Sequence, residues 1–508
     1  MRRQGSVLFL LAAVCALCAA ALSGCAPAPQ VANAPAPAAS SAGTAGGGKI
    51  PVTASSEEAR KEFLQGRDLA ERLLAQDSIQ HFDKAISLDP NFALAELGRA
   101  NASQTAKEFF EHLKKAVALS GKASEGERLL ILANEAGANG EAVKQKEHLD
   151  KLVAAHPNDE RAHFNLGGYH FGQQDFAQAI QHYKKATELA PSYSPAYNIL
   201  GYAYRQNGDY ANAEQAFKKY IELIPNDPNP YDSYAELLLK MGKYEDSIAQ
   251  YRKALSIDPN FVASRNGIAA DLLYLGKPEE AAAELQALND KARSDGDRRT
   301  ALFGMTVVQA DAGKLDKALE EVEKQYALGE KIGDTAAMTG DLQLKGNILV
   351  EMGRYDEAKE QFERLLKMTD ESTLSQEIKD NTKLFHHYNL VTVALGKKDF
   401  TTAKAEAEEF RKGAEASKNP NQMRQAHELA GMIALSEKDY DKAIAELQQA
   451  NQQNPQNLYR LSQAFQGKGD NAKAKEFSTK AAGFNSLPQL NYALIRMKAQ
   501  KMAAGMKA

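Results

Sequence analysis

The sequence predicts an all-α protein, a superhelical solenoid of about twelve stacked helix-turn-helix units. Three observations predict it. Pro157, Pro191, Pro225 and Pro259 are spaced 34, 34 and 34 residues apart, and Pro90 lies 67 before Pro157, one short of two periods. A fixed period of this size marks supersecondary units that stack on their neighbours. Within each period the apolar residues fall on two helical stripes. None of the 17 prolines falls in the middle of an expected helix, where one costs about 3 kcal/mol.

The chain begins with an address. Arg2 and Arg3 precede an unbroken apolar run from Val7 to Leu22, 16 residues, shorter than the roughly 20 a spanning helix needs. This reads as a signal peptide over residues 1–24. Leu22-Ser23-Gly24-Cys25 resembles the bacterial lipobox, which implies that Cys25 is the lipid attachment site. Cys15 and Cys18 lie inside the leader, so Cys25 is the one cysteine left after cleavage. In the proteobacterial lipoproteins it resembles, a residue other than Asp after the cysteine, here Ala26, implies the outer membrane. One acyl chain holds only marginally, so durable anchoring needs several.

Residues 25–56 are mostly Ala, Pro, Gly and Ser, and are expected to form a disordered tether. Gly43 to Lys49 formally matches G-x-x-x-x-G-K, but Ile50 stands where a phosphate loop needs Ser or Thr, so no nucleotide site is expected.

The repeats follow as an N-terminal array over 57–296 and a C-terminal array over 297–488. The clearest unit spans 160–193. Leu166, Gly167 and His170 share a face of a first helix, Ala179, Tyr183 and Ala186 share a stripe of a second, and Pro191 ends it. Units 194–227 and 228–261 repeat the pattern with Leu200, Gly201, Ala213, Phe217 and Pro225, then Tyr231, Ala235, Tyr251, Ala254 and Pro259. Gly167, Gly201, Ala179 and Ala213 are expected where paired helices come closest. Fainter copies occupy 59–92, 339–372, 424–457 and 455–488, and looser hairpins fit the remainder. Connections near 290–300, 333–338, 372–383 and 414–423 are candidate breaks. Residues 489–508 are expected to be a helical tail.

This pattern of Leu-Gly, Tyr, Ala, Phe, Ala and Pro resembles the tetratricopeptide repeat. The resemblance implies that first helices line a concave groove that takes a protein or peptide partner. Carried onto this sequence, the groove positions are Phe164, Asn165, Phe171, Asn198, Tyr202, Arg205, Asp232 and Glu236.

Other chemistry is not signalled. With 62 Lys and Arg against 66 Asp and Glu, the net charge of −4 gives no basic field for nucleic acid. A mean hydropathy of −0.48 excludes a multi-span membrane protein, so contact with the membrane is expected through the lipid alone. There is no H-E-x-x-H, G-x-S-x-G or G-x-G-x-x-G. His163, His170 and His182 cluster in one unit, where His163 and His170 occupy aromatic positions of the repeat and read as packing residues. The adjacent His386 and His387 face different ways on a helix and read as one packing and one exposed residue, so no metal, cofactor or enzyme activity is expected. The expected function is a membrane-anchored scaffold of the bacterial cell envelope, on the outer membrane and facing the periplasm. The alternative is a module binding a small ligand or glycan on the aromatics between 164 and 204.

Overall fold

The computed structural model describes residues 48–72 and 74–505, so Cys25 and the leader lie outside the described residues. The described residues form 25 α-helices and no strand. The first eight are α1 (Glu57–Glu71), α2 (Ala75–Leu88), α3 (Ala93–Asn101), α4 (Ala106–Leu119), α5 (Glu125–Ala138), α6 (Ala142–Ala155), α7 (Glu160–Gly172) and α8 (Phe176–Leu189). Next come α9 (Ser194–Gln206), α10 (Tyr210–Leu223), α11 (Asn229–Lys240), α12 (Tyr244–Ile257), α13 (Val262–Tyr274), α14 (Pro278–Asp290), α15 (Asp295–Asp311) and α16 (Leu315–Ile332). Then follow α17 (Thr335–Glu351), α18 (Tyr355–Glu371), α19 (Gln376–Gly396), α20 (Phe400–Ser417), α21 (Pro420–Ser436) and α22 (Tyr440–Gln449). The last are α23 (Pro455–Lys468), α24 (Asn471–Ala482) and α25 (Leu490–Gly505). Taken in order, α1 to α24 make twelve antiparallel hairpins, and α25 stands alone. No helix among the described residues is long and apolar enough to cross a membrane.

Each hairpin turn is set by local chemistry. The first helix commonly ends in a left-handed residue, as at Gly208 with φ of 80° and Gly353 with φ of 75°, a conformation that glycine adopts without strain. An aspartate often follows and caps the second helix: Asp209 accepts the N–H of Asn212, and Asp439 that of Lys442. Inside the hairpin a glycine meets a ring. A Cβ at Gly167 would stand 2.8 Å from Tyr183, and one at Gly201 2.7 Å from Phe217. Both rings are buried. Tyr183 also clusters with Leu200 and Ala203 of the next hairpin, and Tyr251 fills the space against Gly267 of the next. The apolar core crosses the expected boundary at 296/297 without a break, since Leu285 and Val308 share one cluster.

The solenoid is wound tightly enough for one turn to rest on the next. The turn of the second hairpin meets the ninth, where Ala106 N–H donates to Asp334 Oδ2 at 3.1 Å. The third meets the tenth: Ser375 Oγ donates to Asn139 Oδ1 at 2.8 Å, and Asn381 Nδ2 to Asn139 O at 3.0 Å. The fourth meets the eleventh, with Arg424 Nη2 donating to Gln173 O at 2.9 Å. Each of these partners lies seven hairpins on.

Two expectations are corrected. The described part of the expected C-terminal tail, residues 489–505, is helical from Leu490 but does not trail off. α25 packs in the middle of the array, where Leu490, Ala493 and Leu494 join Val307, Ala310, Leu344 and Ile348 in one cluster. Arg496 Nε and Nη2 reach Asp311 Oδ1 and Oδ2 at 2.7 and 2.5 Å, and both residues are buried. The linker before α25 is held as well: Lys240 Nζ donates to Phe484 O at 2.5 Å and Tyr244 OH to Asn485 Oδ1 at 2.9 Å. Second, the described part of the expected tether, residues 48–56, is a docked strap. Three of its anchors are main-chain N–H groups, at Ile50, Thr53 and Ser55, which composition does not reveal.

Candidate interaction surface

The histidines turn out to be part of the repeat. A residue on a first helix bonds the residue 19 positions on, across the hairpin: Glu62 with His81 at 2.7 Å, Arg265 with Glu284 at 3.3 Å, His387 with Glu406 at 2.6 Å and His427 with Glu446 at 2.7 Å. His163 and His182 hold the same register at 3.2 Å. His163 Nε2 donates to Pro157 O at 3.0 Å, which leaves its Nδ1 to accept from His182. Burial, helped by the His163 and His170 imidazoles, lowers the His182 pKa to about 4. No group of three or more His, Cys, Asp or Glu among the described residues is placed to hold a metal ion.

The expected groove residues divide into two sets. Phe164, Asn165 and Phe171 lie half-buried on α7. The Phe164 ring packs on Tyr183 and Tyr193, with centroids 5.8 and 5.6 Å apart. Phe171 packs edge-on to Phe176, and Asn165 Nδ2 donates to Arg161 O one turn back. The other five residues lie on α9 and α11, and Tyr202, Arg205 and Glu236 form a polar strut between these first helices. Tyr202 OH donates to Glu236 Oε1 at 3.0 Å, and Arg205 Nη1 to Glu236 Oε2 at 3.1 Å. Arg205 also lies over the Tyr202 ring, 4.6 Å from its centroid. Asn198, Asp232 and Glu236 are buried. Asp232 Oδ1 accepts from Ser264 Oγ at 2.7 Å; burial, then the nearby Glu236, raises its pKa well above the carboxylate range. A second strut of the same kind joins α19, α21 and α23 through Tyr388, Glu428 and Arg460. At Asn198, Asp232 and Glu236 the side chains are therefore buried between first helices and not presented to an open groove. The tight winding brings successive first helices together there.

Asp271 on α13 shows how far this closure goes. Its side chain is fully buried, and neither oxygen accepts a hydrogen bond. The neighbouring Ser247 hydroxyl donates to Ala235 O at 2.9 Å, so it can only accept from Asp271. A protonated carboxyl satisfies that geometry, and burial raises the Asp271 pKa to about 8. The unfolded value is about 3.9, so the folded state holds the extra proton between the two values. This contribution to stability is fully present below about pH 4 and is lost as pH rises through about 8. Asp271→Asn keeps the neutral shape. Its melting temperature should match wild type near pH 4 and exceed it progressively toward pH 8. A constant difference across that range would refute the assignment.

The surface that visibly takes an extended chain is the rim where second helices return to first helices. Ile50 N–H donates to Asp159 Oδ2 at 2.8 Å, Thr53 N–H and Oγ donate to Glu127 at 2.7 and 2.6 Å, and Ser55 N–H donates to Asp89 Oδ2 at 2.6 Å. Lys49 pairs with Glu160, and Ile50, Val52 and Ala54 lean on the core. The strap thus crosses the entrances of three consecutive first helices. Two of these acceptors stay ordered by themselves, because each also caps its own helix: Asp159 Oδ1 takes the N–H of Arg161 and Ala162, and Glu127 closes a capping box with Ser124. They were not singled out by sequence reasoning, although their position beside helix starts was legible.

Protein-family models agree with this repeat architecture. A tetratricopeptide repeat model matches residues 132–194, 173–228 and 388–457, a TPR repeat model matches 235–270, and a tetratricopeptide repeat-like domain model matches 267–384. Among solved structures, a tetratricopeptide repeat protein from Parabacteroides merdae is 13% identical, with a TM-score of 0.34 over 56% of this chain and 99% of its own. A thermophilic TPR protein of Thermus thermophilus is 22% identical, with a TM-score of 0.29 over 42% of this chain and 99% of its own. YrrB, described as a TPR protein with an unusual peptide-binding site, is 20% identical, with a TM-score of 0.25 over 38% of this chain and 97% of its own. No curated protein matches the chain. The matched segments take up most of residues 132–457, and the chain belongs to the tetratricopeptide-repeat proteins.

Proposed function

We propose that this protein is a lipid-anchored scaffold of the bacterial cell envelope. It is tethered to the outer membrane through Cys25, faces the periplasm, and holds a protein or peptide partner on its helical array. The observation that carries the reading is the run of tetratricopeptide repeats, whose family mediates protein–protein interactions. The anchor rests on Leu22-Ser23-Gly24-Cys25. The docked strap supports contact along the rim, and of the eight expected groove residues Phe164, Asn165 and Phe171 on α7 and Tyr202 and Arg205 on α9 keep part of their surface open. The small-ligand reading is not favoured, because Phe164 and Tyr202 spend their rings on neighbouring side chains.

Two measurements test the reading. Cys25→Ser should stay an uncleaved precursor or leave the outer-membrane fraction; a mature, detergent-phase mutant would remove the anchor from the proposal. Cross-linking in intact cells should trap a defined protein partner on the array, and repeated recovery of the free chain alone would remove the scaffold.

A further inference from the structure

The strap lies on the array as a bound peptide would. Its exposure alternates with the two-residue period of an extended chain: Lys49, Pro51, Thr53 and Ser55 are exposed, and Ile50, Val52 and Ala54 are half-buried. No side chain from 48 to 56 is fully buried. Among the described residues, no main-chain group of 48–55 bonds to a main-chain group of the array. The bonds that hold the strap end on side chains of the array. Beyond the contacts with Asp159, Glu127, Asp89 and Glu160, the Gly48 carbonyl accepts from His156 Nδ1 at 3.1 Å.

The receiving side is ordered without it. Asp89 Oδ1 takes the Asn91 N–H at 3.0 Å, Asp159 Oδ1 caps α7, and Glu127 closes the capping box of α5. Asp89 Oδ2, Asp159 Oδ2 and Glu127 Oε1 face the strap, and each takes one main-chain N–H from it. Such a rim asks little of its occupant. It needs an extended main chain, a cation opposite Glu160 and apolar side chains at alternate positions. The strap meets these terms through Lys49, Ile50, Val52 and Ala54. It can lift without unwinding a helix, because α1 begins at Glu57 and is capped by Ser56.

We propose that the strap is an internal placeholder, and that when it lifts, Asp89, Glu127, Asp159 and Glu160 receive an extended segment of a partner protein that carries a Lys or Arg followed by alternating apolar residues. The chemistry selects this class. The rim presents four carboxylates, so it suits a chain that brings main-chain donors and a leading cation, and it repels an acidic one. Three of the four bind the main chain, so the partner need not share the strap's sequence beyond this pattern. The resident strap has the advantage of being covalently attached, which a partner must overcome by making more contacts along the rim. The inference rests on the scaffold reading and narrows it to one face and one kind of contact.

The test uses the full-length protein and a fluorescent, acetylated peptide of residues 48–56 as the probe. Ile50→Pro with Thr53→Pro removes two N–H donors from the strap and leaves the rim untouched. Anisotropy should show the peptide binding this variant at least tenfold more tightly than wild type, whose rim is already filled. A peptide with an ester in place of the Thr53 amide should lose at least tenfold in affinity, whereas an ester at Val52, whose N–H has no bond among the described residues, should not. Hydrogen exchange on wild type gives a second reading that needs no variant: the amides of Ile50, Thr53 and Ser55 should exchange at least a hundredfold faster than those of α5 and α7. Equal affinity for wild type and the variant, indifference to the Thr53 ester, or strap amides as slow as the helices would overturn the proposal. A wild-type dimer that the peptide splits into monomers would assign the rim to a second copy and overturn the partner. If a partner trapped in cells is not displaced by excess peptide, the rim fails and the scaffold stands. If the peptide binds as expected and no partner is trapped, the scaffold reading alone fails.

Discussion

Arg496→Ala should lower the unfolding free energy by about 3–5 kcal/mol, the usual cost of removing one partner of a buried ion pair. Asp311 would be left with both oxygens stripped of their guanidinium partner in a site that water barely reaches. The guanidinium also lies 5.4 Å from the centre of the Tyr274 ring, and the substitution removes that cation–π attraction as well. The damage should not stay local, because α25 shares an apolar cluster with α15 and α17 and also packs beside α24. Urea denaturation followed by circular dichroism should show an earlier midpoint, and limited proteolysis should cut first between 483 and 505. Arg496→Met combined with Asp311→Leu should regain most of the stability, since an apolar pair of similar volume is often neutral or better in such a site. An unchanged midpoint in Arg496→Ala would show that α25 does not brace the array.

Gly346→Ala should destabilise the protein by about 2 kcal/mol or more, although alanine is the better helix former by about 1 kcal/mol. A Cβ at this position would stand 2.1 Å from Cε1 and 2.5 Å from Cζ of Phe362. Phe362 is fully buried, so its ring cannot swing into solvent to make room. Phe362→Leu in the same background should recover part of the loss by shrinking the obstacle, and a thermal double-mutant cycle would read the coupling. If Gly346→Ala melts at or above wild type, the ring does not lie where the packing places it.

Most of the hairpin architecture was legible because each hairpin is assembled from neighbours in sequence. Gly167 and Tyr183, or Gly201 and Phe217, belong to one period and meet inside it. The prolines that end second helices mark the same period. The winding was not legible. It is held by Asn139, Gln173, Asp334 and Arg424, ordinary polar residues near turns whose partners lie seven hairpins away. α25 read as a tail because nothing in its own residues points to Asp311. The strap read as a tether because much of its hold comes from the main-chain N–H groups of Ile50, Thr53 and Ser55, which no composition marks. Of the groove residues, the repeat pattern placed Tyr202, Arg205 and Glu236 on first helices and left open that they would bond to one another.

Tandem arrays ordinarily gain or lose a copy at little cost, because each unit answers only to the one before and after it. The stacking of the second hairpin on the ninth, the third on the tenth and the fourth on the eleventh removes that freedom. Duplicating or excising a single unit between them would slide every later layer past its mate, setting Asp334 and Arg424 against strangers. The copy number of this array is thus fixed by geometry, much as the thread count of a screw is fixed by its nut.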